Sequence, residues 1–579
     1  MKKYSIYLWV RYIIIIIYLF LSYYSVKASN DTLFKRVSVN EVKSERRDYL
    51  NIIINSPITK SYSLVKLNRL IFNQSIIINL DDNNKFNAVL YENQGSIRMK
   101  TEFQNIFGSF LFKNKKLRGY VQFKNEKFEI IPIDSLVHII ILIDETKIPS
   151  ELCNFNNDSL AKETKKNKNP TISTIPDECN IRILVAYTPN ARDARGGEED
   201  INDDIQWAVQ LTIESYDKSN VNQRIELART ILTNYTETGN WDTDVGRFFN
   251  PNDGIMDELD NIRDLYSADC MVLIIDDDTY CGQAESILSN ESTARCVVSA
   301  GSTCLTTYFS FAHELGHLMG CDHDPSNEVG PAFPYGHGFC HSAGDNWRTI
   351  MSYQNNCALN RIQFWSNPDI EFQGDPMGDV WYANNHRVLN ETEETIREFR
   401  LTPLINVIPL EIVTEFNIAD FLARSILQIT WNFIAEENSE VSLRAGDEVI
   451  LSPGTRAEIG SNVHVFIDDC GTQAIVSKDD KKGSSKLIES SFINYKFVVV
   501  PNPANNSIEV KFKLEEGSPV QIQIINSLGQ TLLCQSDFYN NTATEKKLSF
   551  DVSTLPSGLY FVVLRSQSFV QSKQIVILK

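Results

Sequence analysis

From Cys179 to Asp276 the spacing of apolar residues switches back and forth between two periods. "CNIRILVAYTP" (179–189) is a short continuous apolar run, the length of one buried strand. "INDDIQWAVQLTIESYDKSN" (201–220) places apolar residues at 201, 205, 208, 209, 213 and 216, the step of an amphipathic helix. "IELARTILTNYTE" (225–237) predicts a strand, "GIMDELDNIRDLY" (254–266) a helix and "DCMVLIID" (269–276) another buried strand. The alternation predicts an α/β half with helices packed on a sheet. "NETEETIREFR" predicts a last helix that closes this domain near Arg400.

The flanking regions carry a different pattern. Within residues 29–150, "IRMKTEFQNIFGSFLFKNKKLRGYVQFKNEKFEIIPI" alternates with period two between turn residues, which predicts a β-meander. A lysine- and asparagine-rich stretch, "AKETKKNKNPTISTIPDE" (161–178), follows as an exposed linker. Such a break predicts either a pro-segment with a protease-accessible junction or an N-terminal β domain on a hinge. Beyond 401 helical periods stop. "VSLRAGDEVILSPGTRAEIGSNVHVFIDDC" (441–470) reads as strands with Gly446, Gly454 and Gly460 at the bends. "SKDDKKGSSK" (477–486) is a polar linker, and seven or so short β runs from about 496 have the spacing of a small β-sandwich. The expected divisions are 1–28, 29–178, 179–400, 401–476, 477–495 and 496–579.

At 579 residues the chain needs several cores. Its net charge of −19 offers no basic face for phosphate, so no nucleic-acid partner is expected. The first residues, "MKKYSIYLWVRYIIIIIYLFLSYYSVKAS", set two lysines before a long apolar run and end in Val26-Lys27-Ala28, the pattern of a secretory signal peptide cut after Ala28. An uncleaved membrane anchor is the rival reading, against which Arg11 and the cleavage-like ending count. Eight of the eleven cysteines fall between Cys179 and Cys357, an even number suited to disulfides outside the cytoplasm. Proximity along the chain favours Cys281 with Cys304 and Cys340 with Cys357.

The chemistry concentrates in "FAHELGHLMGCDHD" (311–324), which spends three of the chain's eight histidines within eleven residues. Positions four apart share a helix face, so His313 and His317 can present two imidazoles to one ion at zinc–nitrogen distances of ~2.0–2.1 Å. Gly320 suits a left-handed helix end that turns the chain back and brings His323 to the same point. Three nitrogen ligands leave a position open, the mark of a catalytic zinc. Glu314, beside the first ligand, can act on a metal-bound water without itself ligating. Cys321, so close to these ligands, is expected in a disulfide. His337 and His341 are expected to be loop histidines. Asp276, Asp277 and Asp278 read as a solvated strand end, with calcium a weaker possibility.

HExxHxxGxxHD resembles the motif of metzincin zinc metalloproteases, and Asp324 after the third histidine is similar to the adamalysin (reprolysin) branch. The blocks "YTPNAR", "DDDTYCG", "PYGHGF", "WRTIMSY" and "FWSNPDI" extend this resemblance to secreted bacterial enzymes over about 179–400. The resemblance implies an α+β zincin fold, a zinc-dependent endopeptidase, a methionine floor at Met351 in "TIMSY", and a pro-segment before 170 that keeps the cleft closed. Tyr353 departs towards astacin- and serralysin-like members, where such a tyrosine helps the oxyanion; the alternative is a buried hydrogen-bonded tyrosine. Cys153 could ligate the zinc in the latent form, although no family switch motif surrounds it. The C-terminal blocks "VVPNPANNSIEV", "INSLGQ", "LPSGLYFVVL" and "KQIVILK" resemble the sorting domain of type IX secretion. That implies Sec and type IX machinery as partners and a secreted protein, with attachment to the cell surface as one outcome; a monomer acting on peptide or protein substrates is expected. A catalytically silent zincin-fold adhesin and a zinc hydrolase of non-peptide substrates are the competing readings.

Overall fold

The computed structural model describes residues 31–149, 180–467 and 498–579, apart from short interruptions. The signal sequence, Cys153, Cys179 and the linkers at 161–178 and 477–495 lie outside the described residues. Two compact units result, the first ending at Arg400 and the second covering Leu401–Lys579.

The first unit opens with a nine-stranded sheet running from Phe34 to Ile143, and from its fourth to its ninth strand it is a continuous antiparallel meander. A helix, Arg47–Asn55, lies between its first two strands. The α/β half is built on β1 (Ile181–Tyr187), α1 (Glu198–Lys218), β2 (Ile225–Leu232), α2 (Trp241–Phe249), α3 (Glu258–Leu265), β3 (Cys270–Ile275), β4 (Gly282–Ala284), β5 (Arg295–Ser299), α4 (Ser310–Leu318) and α5 (Asn385–Arg397). Its strands lie in the order β4-β5-β3-β1-β2, and all neighbours are parallel except β4, which runs antiparallel along the edge. β1 and β3 are buried throughout, as their continuous apolar runs require. The expected helices and strands all form. Helix α2 was not anticipated: its nine residues are too few for a periodic signal to stand out.

α1 departs from the simple amphipathic expectation. Its polar face is buried as well, including Asp200, Asp203, Asp204 and Glu214. The N-terminal sheet covers that face and supplies the counter-charges. Arg118 pairs with Asp200 at 3.0 Å and with Asp203 and Asp204 at 2.8 Å, Lys116 with Asp200 at 2.9 Å, and Arg46 with Asp200 at 2.6 Å. The Arg118 guanidinium is held above its usual range by the three aspartates, against the effect of burial. Buried charges persist only when paired and hydrogen-bonded. The N-terminal sheet and the α/β half therefore form one compact unit, joined through buried ion pairs, and not two bodies joined by a hinge.

In the second unit, residues 405–467 form a parallel β-solenoid. Ile405 pairs in register with Ile426 and that with Glu448; Ile412 with Ile434 and Arg456; Ile418 with Glu440 and Asn462. Each coil therefore advances 21 or 22 residues. Residues 498–577 form the expected sandwich, with sheets of three and four strands around Ile508, Val510, Ile522, Ile524, Val562 and Ile575.

Candidate metal centre

α4 packs against α1, the edge strand β4 and its neighbour β5, and all nine of its residues are buried. It ends as its glycine requires. Gly320 adopts φ +100°, and Cys321 N–H donates to Gly316 O at 2.9 Å. That turn delivers Asp322, whose carboxylate accepts from the His323 amide at 2.7 Å.

The three imidazoles converge. Nε2 of His317 lies 3.1 Å from that of His313 and 3.0 Å from that of His323, and the third separation is 3.2 Å. Each Nδ1 faces a backbone carbonyl: Ile350 at 2.9 Å for His313, Cys321 at 2.9 Å for His317, and Asn327 at 3.2 Å for His323. A carbonyl only accepts, so each Nδ1 carries the proton and each Nε2 turns its lone pair inward. Burial, then the neighbouring imidazoles His317 and His313, hold His323 well below its usual range and hence neutral. Three lone pairs so close need a cation between them. Nitrogens ~2.0–2.1 Å from one ion at tetrahedral angles stand ~3.3 Å apart, close to the triangle found here. Among the described residues this is the group whose donor atoms converge in this way.

Glu314 is fully buried on the neighbouring face of α4 and lies against β4. A Cβ added at Gly282 would stand 2.5 Å from Glu314 Oε1 and 2.7 Å from its Cγ, so the edge strand comes this close only because residue 282 has no side chain. Met351 is also fully buried, and its Sδ lies 2.8 Å from where a Cβ on Gly316 would stand. Asp324 ties the turn after the helix to the methionine turn, with Oδ2 accepting from Tyr353 N at 3.0 Å and Ser352 Oγ at 3.2 Å. The Tyr353 ring lies over the cluster, 4.0 Å from the His323 ring and 6.0 Å from that of His313.

Residues 177–366 match the model of metallopeptidase family M12, and residues 498–578 that of the secretion system C-terminal sorting domain. The chain is 35% identical over 290 residues to a peptidyl-Asp metalloendopeptidase of Xanthomonas campestris pv. campestris, covering 49% of this chain and 67% of that protein. A protein of the same name from Stenotrophomonas maltophilia is 37% identical over 276 residues, covering 45% and 63%. Another from Pseudomonas fragi is 33% identical over 181 residues, covering 31% of this chain and 95% of that protein.

The chain belongs to metallopeptidase family M12.

This metalloendopeptidase spans about two thirds of the length of the first two relatives. Membership implies a bound metal ion, and the sorting domain marks the chain for secretion. The expected pairs Cys281–Cys304 and Cys340–Cys357 are both formed. The disulfide expected for Cys321 is not: Cys321, Cys270 and Cys296 are buried free thiols. Cys321 sits at the end of α4 beside Asn385, and burial pushes its thiol well up, which keeps it protonated and inert. An even cysteine count was thus a poor guide, since a free cysteine packs in a core like a small hydrophobe.

His337 is outside the cluster but not idle: its Nδ1 donates to His323 O at 2.9 Å, steadying the third imidazole. His341 stacks on Trp347 at 4.7 Å. Asp276 is pushed up to about 6 by burial, then by Asp278, Glu237 and Asp277. Two positions escaped the sequence reading, Gly282 and the backbone carbonyl of Ile350. Neither has a local signal, because each matters through a contact made in the folded chain.

Proposed function

We propose that this M12 metallopeptidase is a secreted zinc endopeptidase, with His313, His317 and His323 as the zinc ligands and Glu314 as general base and acid. The observation that carries the reading is the convergence of three Nε2 atoms, each turned inward by a carbonyl on its other nitrogen. Three neutral nitrogens with an open position suit a catalytic zinc. Zinc bound there supplies Lewis acidity, which brings water's pKa from 15.7 towards ~7 and polarises a carbonyl. Glu314 takes the proton of the attacking water and returns it to the departing amine, so no acyl-enzyme is needed. Its carboxylate is held between α4 and the edge strand, where Gly282 sets the distance. Tyr353 assists at the developing oxyanion from its place over the histidine rings, while Met351, Gly320 and Asp324 support the cage.

The N-terminal sheet is read as a pro-segment, because its hold on α1 rests on ion pairs whose partners can be rehydrated once it is cut away. The relatives' name, peptidyl-Asp metalloendopeptidase, favours substrates with aspartate at the scissile bond. Glu314→Ala is expected to abolish cleavage of a protein substrate, with one zinc per chain retained. Cleavage that survives the change would remove Glu314 from the mechanism, and loss of zinc along with activity would make it a ligand.

A further inference from the structure

One buried carboxylate beside the metal centre is neither a ligand nor the general base. Asp322 is fully buried, and no lysine or arginine among the described residues pairs with it. It accepts instead from backbone N–H groups: His323 at 2.7 Å, Val329 at 3.2 Å and Gly330 at 3.2 Å. A carboxylate taken out of water persists only where hydrogen bonds replace its hydration, and these three amides do so. They come from both ends of residues 323–330, so one side chain ties that loop into a ring.

The ring surrounds the outer edge of His323. Asn327, midway along the loop, turns its carbonyl to His323 Nδ1 at 3.2 Å, and Asp322 Oδ1 lies 3.7 Å from the same nitrogen. Asp324 fastens the middle of the loop, its carbonyl accepting from Asn327 N at 2.8 Å and its carboxylate from Asn327 Nδ2 at 3.0 Å. The far end, at Val329 and Gly330, is held by Asp322. Asp322 itself stands on a firm base: its N–H donates to Gly336 O at 2.7 Å, and its carbonyl accepts from Gly338 N at 3.0 Å. Gly338 in turn is pressed on the methionine turn, since a Cβ there would stand 2.6 Å from Ser352 N. His313 and His317 are placed by α4, whereas His323 lies beyond its end and depends on this loop for its orientation.

We propose that Asp322 is a positioning residue for the third metal ligand: its carboxylate closes the 323–330 loop around His323, so that Asn327 O fixes the ring, and sets a negative charge beside Nδ1–H. The assignment rests on the three-histidine zinc site proposed above. A partner that orients Nδ1–H fixes the tautomer and the plane of the ring, and an anion on that side makes the opposite nitrogen a stronger donor to metal. Loss of such a partner costs ~10–100-fold in metal affinity.

The test reads zinc affinity on the purified secreted enzyme, stripped of metal and titrated with zinc against a chromophoric chelator. Thermal midpoints are taken for the stripped and the loaded forms. Asp322→Ala is expected to bind zinc ~10–100-fold more weakly than wild type. Asp322→Asn, which keeps an acceptor for the His323 amide but not the charge, should fall between the two, and it serves alone should the alanine variant not be secreted. In both variants zinc should raise the midpoint by less than it does in wild type. Wild-type zinc affinity in either variant overturns the assignment. So does a midpoint lowered equally with and without zinc, the result of a loop anchor that is merely structural. A wild-type enzyme that takes up no zinc overturns the three-histidine reading itself, and the assignment with it.

Discussion

Gly282→Ala separates positioning from folding at this centre. The new Cβ would stand 2.5 Å from Glu314 Oε1, 2.7 Å from its Cγ and 2.8 Å from its Cδ, against an ordinary contact of 3.4 Å or more. The atoms in the way belong to the end of a side chain, not to backbone. The least costly relief is a carboxylate shift of about 1 Å, with a stability cost of only ~1 kcal/mol, at the low end for an overpacked site. A misplacement of that size can cost ~100-fold in rate, or about 2.7 kcal/mol of transition-state stabilisation. Three measurements on the purified secreted enzyme decide the matter: zinc per chain, the thermal midpoint and kcat/KM on a quenched peptide. Zinc and midpoint should stay close to wild type while kcat/KM falls by about two orders of magnitude. Activity within three-fold of wild type would refute the idea that this strand sets the carboxylate's position.

Two further perturbations probe the ionic interface of the N-terminal sheet. Arg118→Met leaves Asp200, Asp203 and Asp204 short of a buried counter-ion and should destabilise the first unit by about 3–5 kcal/mol in denaturant unfolding, with faster proteolytic loss of residues before 150; a change under about 1 kcal/mol would contradict the pairing. Glu129, buried on the same face and accepting from Thr306 Oγ1 at 2.7 Å, is pushed up to about 7 by burial, partly offset by that bond and by Arg195. Because its folded value lies above the unfolded one, near 4.5, the folded state holds the proton more tightly, and this stabilisation is lost as pH rises through about 7. Glu129→Gln should match wild type below pH ~4.5 and be more stable at pH 8 by up to about 3 kcal/mol, read from unfolding at several pH values; an offset that does not change with pH would contradict it.

Much of this protein could be read from local pattern. The β–α–β alternation from Cys179, the meander and the sandwich each announce themselves by period, since one face or one stripe of each element must be buried. The metal cage is legible for the same reason: a helix fixes His313 and His317 four residues apart, and Gly320 licenses the turn to His323. Long-range relations were hidden. The burial of the α1 aspartates leaves no trace in the helical period, because their partners, Arg118, Lys116 and Arg46, lie more than eighty residues away. The solenoid is hidden because it has only three coils, two steps of 21 or 22 residues, with different residues at paired positions such as Ile418, Glu440 and Asn462. Nothing local distinguishes a buried thiol such as Cys321 from half a bridge.

Zinc-edge X-ray absorption on the purified secreted enzyme reads the environment of the ion atom by atom. Three imidazole nitrogens at ~2.0–2.1 Å plus one light atom are expected, falling to two imidazoles in His323→Ala. A sulfur neighbour at ~2.3 Å, or a wild-type shell that His323→Ala leaves unchanged, would contradict a cage made of His313, His317 and His323.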